Sequence, residues 1–255
     1  MRFSSRTSTR AIAAAVLTVA VALGVGIGAR PANAADAPVD LGTAGSFAVL
    51  AGTTVTNTGP SPISGSVGVA PGSAIVGFPP GIVTGGVIES ATAVADTAKL
   101  DLTAAYLDAE GRLPASINHT ELGGLNLTPG VYAGGALTIT GDLVLTGDAS
   151  SVWIFQATSS LITGSASRVM LSGPVNPCNV FWQIDSTATL GTTSTMVGTV
   201  MALTTINAQT GAVVNGRLLA RNGAVTLDSN TIVAPTPCTV APPATAVPGR
   251  ATFAG

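Results

Sequence analysis

Charged and aromatic side chains are both scarce in this chain of 255 residues. Charged residues make up 9% of it and aromatic residues 4%, and it has one histidine and two cysteines. A chain without a basic patch is a poor partner for nucleic acid or an anionic membrane. With so few imidazoles and thiolates, it also lacks the ligands of most transition-metal sites. We therefore expect no nucleic-acid partner, no metal and no cofactor.

Catalytic chemistry is equally poorly supported by the sequence. His119 lies in a polar stretch with no serine–histidine–acid arrangement readable around it. Asp185 and Asp228 fall at turns without an aromatic platform for a sugar. Trp153 and Trp182 follow apolar neighbours at matching repeat positions, which favours a core role. We predict that the protein is not an enzyme.

The N-terminus has the pattern of an export signal. Basic residues at positions 2, 6 and 10 precede an uncharged apolar run over residues 11–29, and Ala32-Asn33-Ala34 has the small-residue pattern of a cleavage site. We predict that residues 1–34 are a signal peptide and that the protein is secreted, with a retained membrane anchor as the alternative. Cleavage removes four of 10 basic and none of 12 acidic residues, leaving 6 against 12 and a net charge of −6. We expect no membrane contact after cleavage, and a monomer.

The two cysteines, Cys178 and Cys238, most simply form one disulfide in an exported protein. This bond would tie the C-terminal segment to a loop of the main domain. A thiolate metal or catalytic site is the alternative, and the lack of nearby histidines disfavours it.

What the chain does have is a repeat. Between Val152 and Val233, four segments open with bulky apolar residues, pass through a small or polar turn and return to a short alternating strand. Asn207 follows Thr189 by eighteen residues, and Thr226 follows Asn207 by nineteen. Recurrence at this period is typical of a solenoid, in which each coil buries its apolar side by stacking on a neighbour.

The remaining segments fit around this solenoid, which we place at residues 35–233. Residues 46–57 read as two strands, and residues 58–85 as irregular turns with one or two short coils over one end. Apolar residues spaced by three and four predict an amphipathic helix at about residues 86–110, ended by Gly111, that packs along one side. Residues 112–130 read as a linker, and the Pro/Ala/Thr-rich residues 234–255 as an extended tail without a wall-anchoring motif.

Alternation along the short strands predicts which side chains point outward. The central residues are all apolar and should point inward: Val55, Leu137, Leu161, Ala188, Ile206 and Val225. The outward pairs are then Thr54/Thr56, Ala136/Thr138, Ser160/Ile162, Thr187/Thr189, Thr205/Asn207 and Ala224/Thr226. Seven of these twelve residues are threonine and none is charged, so we expect one flat side with an array of hydroxyl and methyl groups.

Such an array can order water into an ice-like layer and adsorb to ice through many weak, matched contacts. Threonine is also simply a favourable residue on an exposed strand, which is the alternative explanation. The predicted site consists of Thr54, Thr56, Thr138, Ser160, Thr187, Thr189, Thr205, Asn207, Ala224 and Thr226.

The segments NVFWQ, STATLGT, GRLLA and GAVTLDSNTI closely resemble the bacterial and fungal ice-binding proteins of the DUF3494 family, and the resemblance covers residues 40–233. It implies a right-handed β-solenoid of triangular section with a long α-helix alongside, and coils that need not stack in sequence order. It also implies an ice-binding site on the flat side that carries neither the helix nor the disulfide loop. Active members often have a T-A/G-x-T/N pattern there.

The match to this pattern is partial. Thr53-Thr54-Val55-Thr56 and Thr204-Thr205-Ile206-Asn207 keep its first and last residues. Gly223-Ala224-Val225-Thr226 lacks the first threonine, and Ile162 interrupts the array. The leading hypothesis is a secreted ice-binding protein that inhibits ice growth or recrystallisation. A structural or adhesive extracellular solenoid without ice activity is the alternative, and a carbohydrate-active enzyme would need clustered acids in a cleft.

Overall fold

The computed structural model describes residues 36–114, 116–236 and 238. In these ranges the chain forms 21 β-strands, one α-helix and two 3-10 helices, at Gly42–Ser46 and Pro177–Asn179. The predicted signal peptide and most of the predicted tail lie outside the described residues. None of the helices in these ranges is long and apolar enough to span a membrane.

The elements follow one another along the chain as β1 (Phe47–Ala51), β2 (Thr54–Thr58), β3 (Pro62–Ser64), β4 (Ser66–Val69), β5 (Ala74–Val76), β6 (Ile82–Thr84), β7 (Ile88–Ser90), α1 (Ala93–Gly111), β8 (Ser116–Glu121), β9 (Asn126–Leu127), β10 (Gly130–Ile139), β11 (Asp142–Thr146), β12 (Trp153–Ala157), β13 (Leu161–Thr163), β14 (Arg168–Ser172), β15 (Val180–Ile184), β16 (Ala188–Leu190), β17 (Thr195–Ala202), β18 (Ile206–Ala208), β19 (Val213–Ala220), β20 (Val225–Asp228) and β21 (Thr231–Val233).

Parallel pairing arranges these strands as the three sides of a solenoid. The helix side contains, in spatial order, β8, β10, β12, β15, β17, β19, β1, β4 and β7. The threonine side contains β10, β13, β16, β18, β20, β2 and β5. The third side contains β9, β11, β14, β17, β19, β21, β3 and β6. The solenoid predicted from the repeat is therefore confirmed.

The coils do not stack in sequence order. β1 pairs with β19, so the N-terminal coils lie on top of the last coil of the chain rather than beneath the first. The expectation that the resemblance gave for coil order is confirmed. Helix α1 contacts β7 and β4 near one end of the solenoid and β12 and β15 farther along, and so returns the chain to the opposite end.

Besides β10, the long strands β17 and β19 contribute to two sides, and they bend at the corner between the helix side and the third side. Their bends meet at Gly198 and Gly216, which are register partners. A Cβ atom on Gly216 would lie 1.8 Å from the carbonyl oxygen of Gly198, and Gly198 has a φ of +100°. Only glycine allows the two backbones to approach this closely.

The interior is filled by the inward residues of all three sides. Tyr132, Phe155 and Trp182 stack along the solenoid axis, with ring centroids 5.5 Å and 4.0 Å apart. Trp153 and Trp182 are both fully buried, as predicted. They are not at matching positions, however, because Trp153 pairs with Val180 while Trp182 pairs with Phe155.

Helix α1 packs on the helix side through small residues. Ala98, Leu102 and Ala105 are buried, and the cluster around them includes outward side chains of the sheet such as Phe181 and Leu219. The helix ends at Gly111, as predicted, but it begins at Ala93, with Thr92 as N-cap, rather than at residue 86. Residues 88–90 are strand β7, whose Ile88 is the register partner of the buried Val67.

One other prediction needs correction. Residues 116–121 and 126–127, read as part of a linker, are β8 and β9 and form the terminal coil. The short coil expected within residues 58–85 is confirmed, because β4, β5 and β6 make a regular coil with one strand on each side. Cys178 and Cys238 are disulfide-bonded, as predicted, with their Cα atoms 5.4 Å apart.

Candidate functional site

The threonine side carries the predicted surface residues. Its central residues are fully buried, so the direction predicted for them is confirmed: Val55, Leu137, Leu161, Ala188, Ile206 and Val225 are all 0% exposed. Register pairs link each of these strands to the next. The residues before and after each central residue therefore point to solvent.

These outward residues form two rows, which together we call the threonine face. In spatial order, the first row is Ala136, Ser160, Thr187, Thr205, Ala224, Thr54 and Ala74. The second row is Thr138, Ile162, Thr189, Asn207, Thr226, Thr56 and Val76. All ten predicted site residues lie in these rows, so the structure brings them together on one side of the solenoid.

Strand geometry gives the threonine face a regular spacing. Neighbouring parallel strands lie about 4.7–4.9 Å apart, and outward residues two apart on one strand are separated by about 6.6–6.8 Å. The branched Cβ of threonine restricts its χ1, so its hydroxyl and methyl groups keep fixed directions. The result is a two-dimensional array of small groups at nearly constant intervals.

Some of the hydroxyls on or beside this face are tied to one another. Thr226 Oγ1 donates to Asn207 Oδ1 at 2.7 Å, across neighbouring strands of the second row. The hydroxyls of Thr187 and Thr204 lie 3.1 Å apart, across neighbouring coils. These hydrogen bonds run along the direction in which the coils stack, and so help to hold the rows in register.

The face has one charged end. Glu121 of β8 is the register partner of Thr138. Its carboxylate accepts hydrogen bonds from the hydroxyls of Thr138 and Thr140, both at 2.8 Å, and from the backbone N–H groups of Thr140 and Gly123. Partial burial works against the charged form, yet these hydrogen bonds together hold the pKa of Glu121 below its usual range. The uncharged part of the face therefore stops beside this coil.

Two apolar side chains interrupt the second row. Ile162 is 46% exposed and Val76 is 50% exposed. Ile162 lies between Thr138 and Thr189, and Val76 occupies the last position next to Thr56. The uninterrupted part of the second row thus runs from Thr189 to Thr56.

Sequence reasoning missed both ends of the face. Ala74 and Val76 went unrecognised because the one or two short coils expected in their segment were not aligned with the others, although Ala74 follows Thr54 by twenty residues, close to one coil period. Glu121 was missed because its strand was read as a linker.

Other chemistry-bearing residues of the described ranges are dispersed. His119 shares a hydrogen bond with Ser116 Oγ at 2.7 Å, and its ring makes a T-shaped contact with Tyr132, at the end of the aromatic stack. Asp185 accepts a hydrogen bond from Tyr106 beneath the helix, whereas Asp228 accepts one from Thr210. The described residues contain no group of three or more His, Cys, Asp or Glu that could hold a metal ion.

The fold and the site together define a class: a three-sided parallel β-solenoid with a helix on one side and a hydroxyl-rich array on another. The sequence profile described as Ice-binding-like matches residues 49–233, and the chain belongs to this family. The resemblance seen in the sequence is therefore confirmed.

Individual relatives agree with this assignment. The chain is 46% identical over 197 residues to an ice-binding protein of Nostoc sp. (strain HG1), covering 75% of this chain and 72% of the relative. It is 40% identical over 217 residues to an ice-binding protein of Colwellia sp, covering 78% and 84%.

Solved structures show the same fold. The crystal structure of an ice-binding protein from an Antarctic biological consortium has a TM-score of 0.76 at 44% identity, with 79% of this chain and 93% of that chain covered. That of Antarctomyces psychrotrophicus has a TM-score of 0.76 at 39% identity, with 78% and 100% covered.

Proposed function

We propose that this protein binds ice through the threonine face and thereby inhibits ice growth or recrystallisation. One observation carries the proposal: the outward side chains on seven consecutive strands of one solenoid side are all uncharged. In the part of the face between Thr187 and Thr56, six of these side chains are threonine. Membership of the ice-binding-like family supports it.

Adsorption needs no reactive group. Each hydroxyl or methyl contributes a weak contact, and the regular spacing allows many contacts to form at once. Ordered water bound to such an array costs little to immobilise further. Charges would bind water in other directions, which agrees with their absence from the two rows between Ala136/Thr138 and Ala74/Val76.

We further propose that the protein acts outside the cell as a monomer and is not an enzyme. The export pattern of residues 1–34 and the disulfide between Cys178 and Cys238 support an extracellular site of action. The curated relatives above are named ice-binding proteins, not enzymes.

A second candidate function has an observation in its favour. Ile162 and Val76 break the second row, and Gly223 stands where the T-A/G-x-T/N pattern has threonine. A solenoid with such interruptions could serve as a structural or adhesive extracellular protein without ice activity.

An ice-recrystallisation assay on purified residues 35–255 separates these functions. We expect wild-type protein at micromolar concentration to slow recrystallisation and to shape growing crystals. Thr205→Tyr and Thr226→Tyr should each remove the effect, because a bulky ring lifts the ice surface away from neighbouring residues.

Val213→Tyr is the matched control. Val213 is 39% exposed and lies on the third side of the solenoid, so this variant should keep wild-type activity. Circular dichroism should show the same fold in all three variants. If the wild-type protein neither shaped ice crystals nor slowed recrystallisation, the ice-binding proposal would fail and the structural or adhesive function would replace it.

A further inference from the structure

Arg217 is a buried cation at the junction between the two ends of the described chain. It lies in β19 and is only 1% exposed. Its Nε donates to Gly45 O at 2.9 Å, in the N-terminal 3-10 helix, and its Nη2 donates to Pro235 O at 3.1 Å, in the C-terminal segment. The guanidinium thus connects three parts of the chain.

These contacts leave the charge of Arg217 uncompensated. In the described ranges, ion pairs within 4.0 Å occur at Arg112–Asp108 and Arg168–Asp142, and neither involves Arg217. Burial alone lowers the pKa of Arg217, and no carboxylate raises it again. Because a buried charge without a partner is costly, such groups are usually paired.

A cavity adjoins this cation. Its volume is about 180 Å³, and its lining includes Val39, Asp40, Gly45, Asn179, Thr236 and Cys238 together with Arg217. A single water needs about 10–15 Å³ of such space, so the cavity has room for a small polyatomic ion. Arg217 Nη1 has only the weak acceptor Cys238 Sγ as its contact among the described residues, at 3.5 Å.

Asp40 is the one acidic residue of the cavity lining within the described ranges. Its carboxylate is exposed and accepts a hydrogen bond from the backbone N–H of Gly42 at 2.9 Å. It lies at the solvent-facing part of the lining and forms no ion pair with Arg217. The cavity therefore still has room for a counterion to the guanidinium.

We propose that this cavity binds a small oxyanion, such as inorganic phosphate or a short carboxylate, with Arg217 as its charged partner. A guanidinium presents N–H donors that suit oxyanions. Bound there, the anion stabilises the junction of the N-terminal 3-10 helix, β19 and the C-terminal segment. The site is separate from the threonine face, so the inference is independent of the ice-binding function.

Thermal unfolding of residues 35–255 in the presence of inorganic phosphate or sodium formate tests this inference. A ligand that binds only the folded state raises Tm with a saturable dependence on its concentration. We expect such a rise at low millimolar concentrations, where general salt effects are small, with sodium chloride at equal ionic strength as reference. A response to formate alone would assign the site to short carboxylates, and a response to phosphate would assign it to tetrahedral oxyanions as well.

Three variants locate the effect. Thr236→Asp places a carboxylate in the exposed part of the lining and should raise Tm without added anion while removing most of the anion response. Arg168→Gln, which removes an exposed arginine from the third side, should keep the full response. Arg217→Gln should lose it, at a lower starting Tm because two backbone hydrogen bonds are lost.

Equal Tm values in phosphate, formate and chloride for the wild type would overturn the inference. So would an undiminished response in Thr236→Asp. Recrystallisation inhibition should stay the same with and without the anions, which separates failure here from failure of the ice-binding function.

Discussion

The threonine face and the third side are made by the same coils with the same strand spacing, yet their chemistry differs. The outward residues of the third side include the ion pair Asp142–Arg168, the exposed Val213 and Val233, and Ile82 at 59% exposure. The threonine face is uncharged between its ends and rich in one residue type. The backbone therefore supplies the spacing to both sides, but only the sequence makes one of them chemically regular.

A single charge should separate the two sides most clearly. Thr189 on the threonine face and Thr195 on the third side belong to the same coil and are both partly exposed. We expect Thr189→Glu to reduce recrystallisation inhibition nearly to the level of buffer, since a carboxylate orders water in directions that do not match ice. Thr195→Glu adds its charge beside Arg168, its register partner, and should leave activity intact. Equal loss in both variants would mean that the third side also contacts ice.

Damage to the shared interior should affect both sides equally. Phe155 is fully buried and stacks on Trp182. Phe155→Ala should lower the free energy of unfolding by about 3–5 kcal/mol, as is typical of a large aromatic residue truncated in a core. Chemical denaturation measures this loss. At temperatures where the variant remains folded, its ice activity per folded molecule should match wild type. A selective loss of activity in folded protein would show that the core supports the threonine face alone.

Restoring the interrupted row should give a smaller gain. Ile162 and Val233 are almost equally exposed, at 46% and 45%, but lie on different sides. Ile162→Thr adds one hydroxyl to the threonine face. If that hydroxyl contributes about 0.5 kcal/mol, the concentration for half-maximal inhibition should fall about twofold. Val233→Thr makes the same kind of change on the third side and should have no effect. A twofold gain from Val233→Thr would remove the distinction between the sides.

The smallest expected effect concerns the helix side. Lys99 of α1 donates to the carbonyl oxygens of Ala220 and Arg221. Burial, together with the charge of Arg221, lowers its pKa from 10.5 to about 7. Between these values the unfolded chain holds a proton that the folded chain has released, so the free energy of unfolding should rise with pH. Below about pH 7 both the folded and the unfolded chain hold this proton, so Lys99 adds no pH dependence to the free energy of unfolding.

Denaturation curves at several pH values measure this dependence, with Lys99→Met as the reference. The methionine variant should have a flatter profile above neutral pH, because it has no proton to release. Ice activity of both proteins should be unchanged, since the threonine face lies on another side. Identical pH profiles would contradict the assignment of the slope to Lys99.

The threonine face could be predicted because alternation in short strands is a local property. Val55, Ile206 and Val225 are each flanked by small or polar residues, and this pattern is enough to tell inward from outward. The terminal coil could not be predicted in the same way. Strand β8 is stacked on only one side, so its residues need little apolar surface, and the sequence around His119 and Glu121 resembles a loop.

Other errors arose where two patterns overlap. Ile88 continues the helical spacing of the alanines that follow it, but it belongs to β7, where it is the register partner of Val67 and is 46% exposed. The offset between Trp153 and Trp182 shows that equivalent apolar runs can enter the ladder two residues apart. Which coil stacks on which could not be read from the repeat itself, since the apolar pattern of one coil suits many neighbours.

The pairing of β1 with β19, and of β2 with β20, has a consequence for how the surface is assembled. A ribosome releases the segment holding Thr54 and Thr56 long before the segment holding Ala224 and Thr226 exists. The edges of β1 and β2 that will pair with β19 and β20 therefore remain unpaired until the later segment has been synthesised. Only when nearly the whole domain has been synthesised can these N-terminal strands pair with the C-terminal ones. This pairing joins two separate patches of hydroxyl groups into one continuous surface.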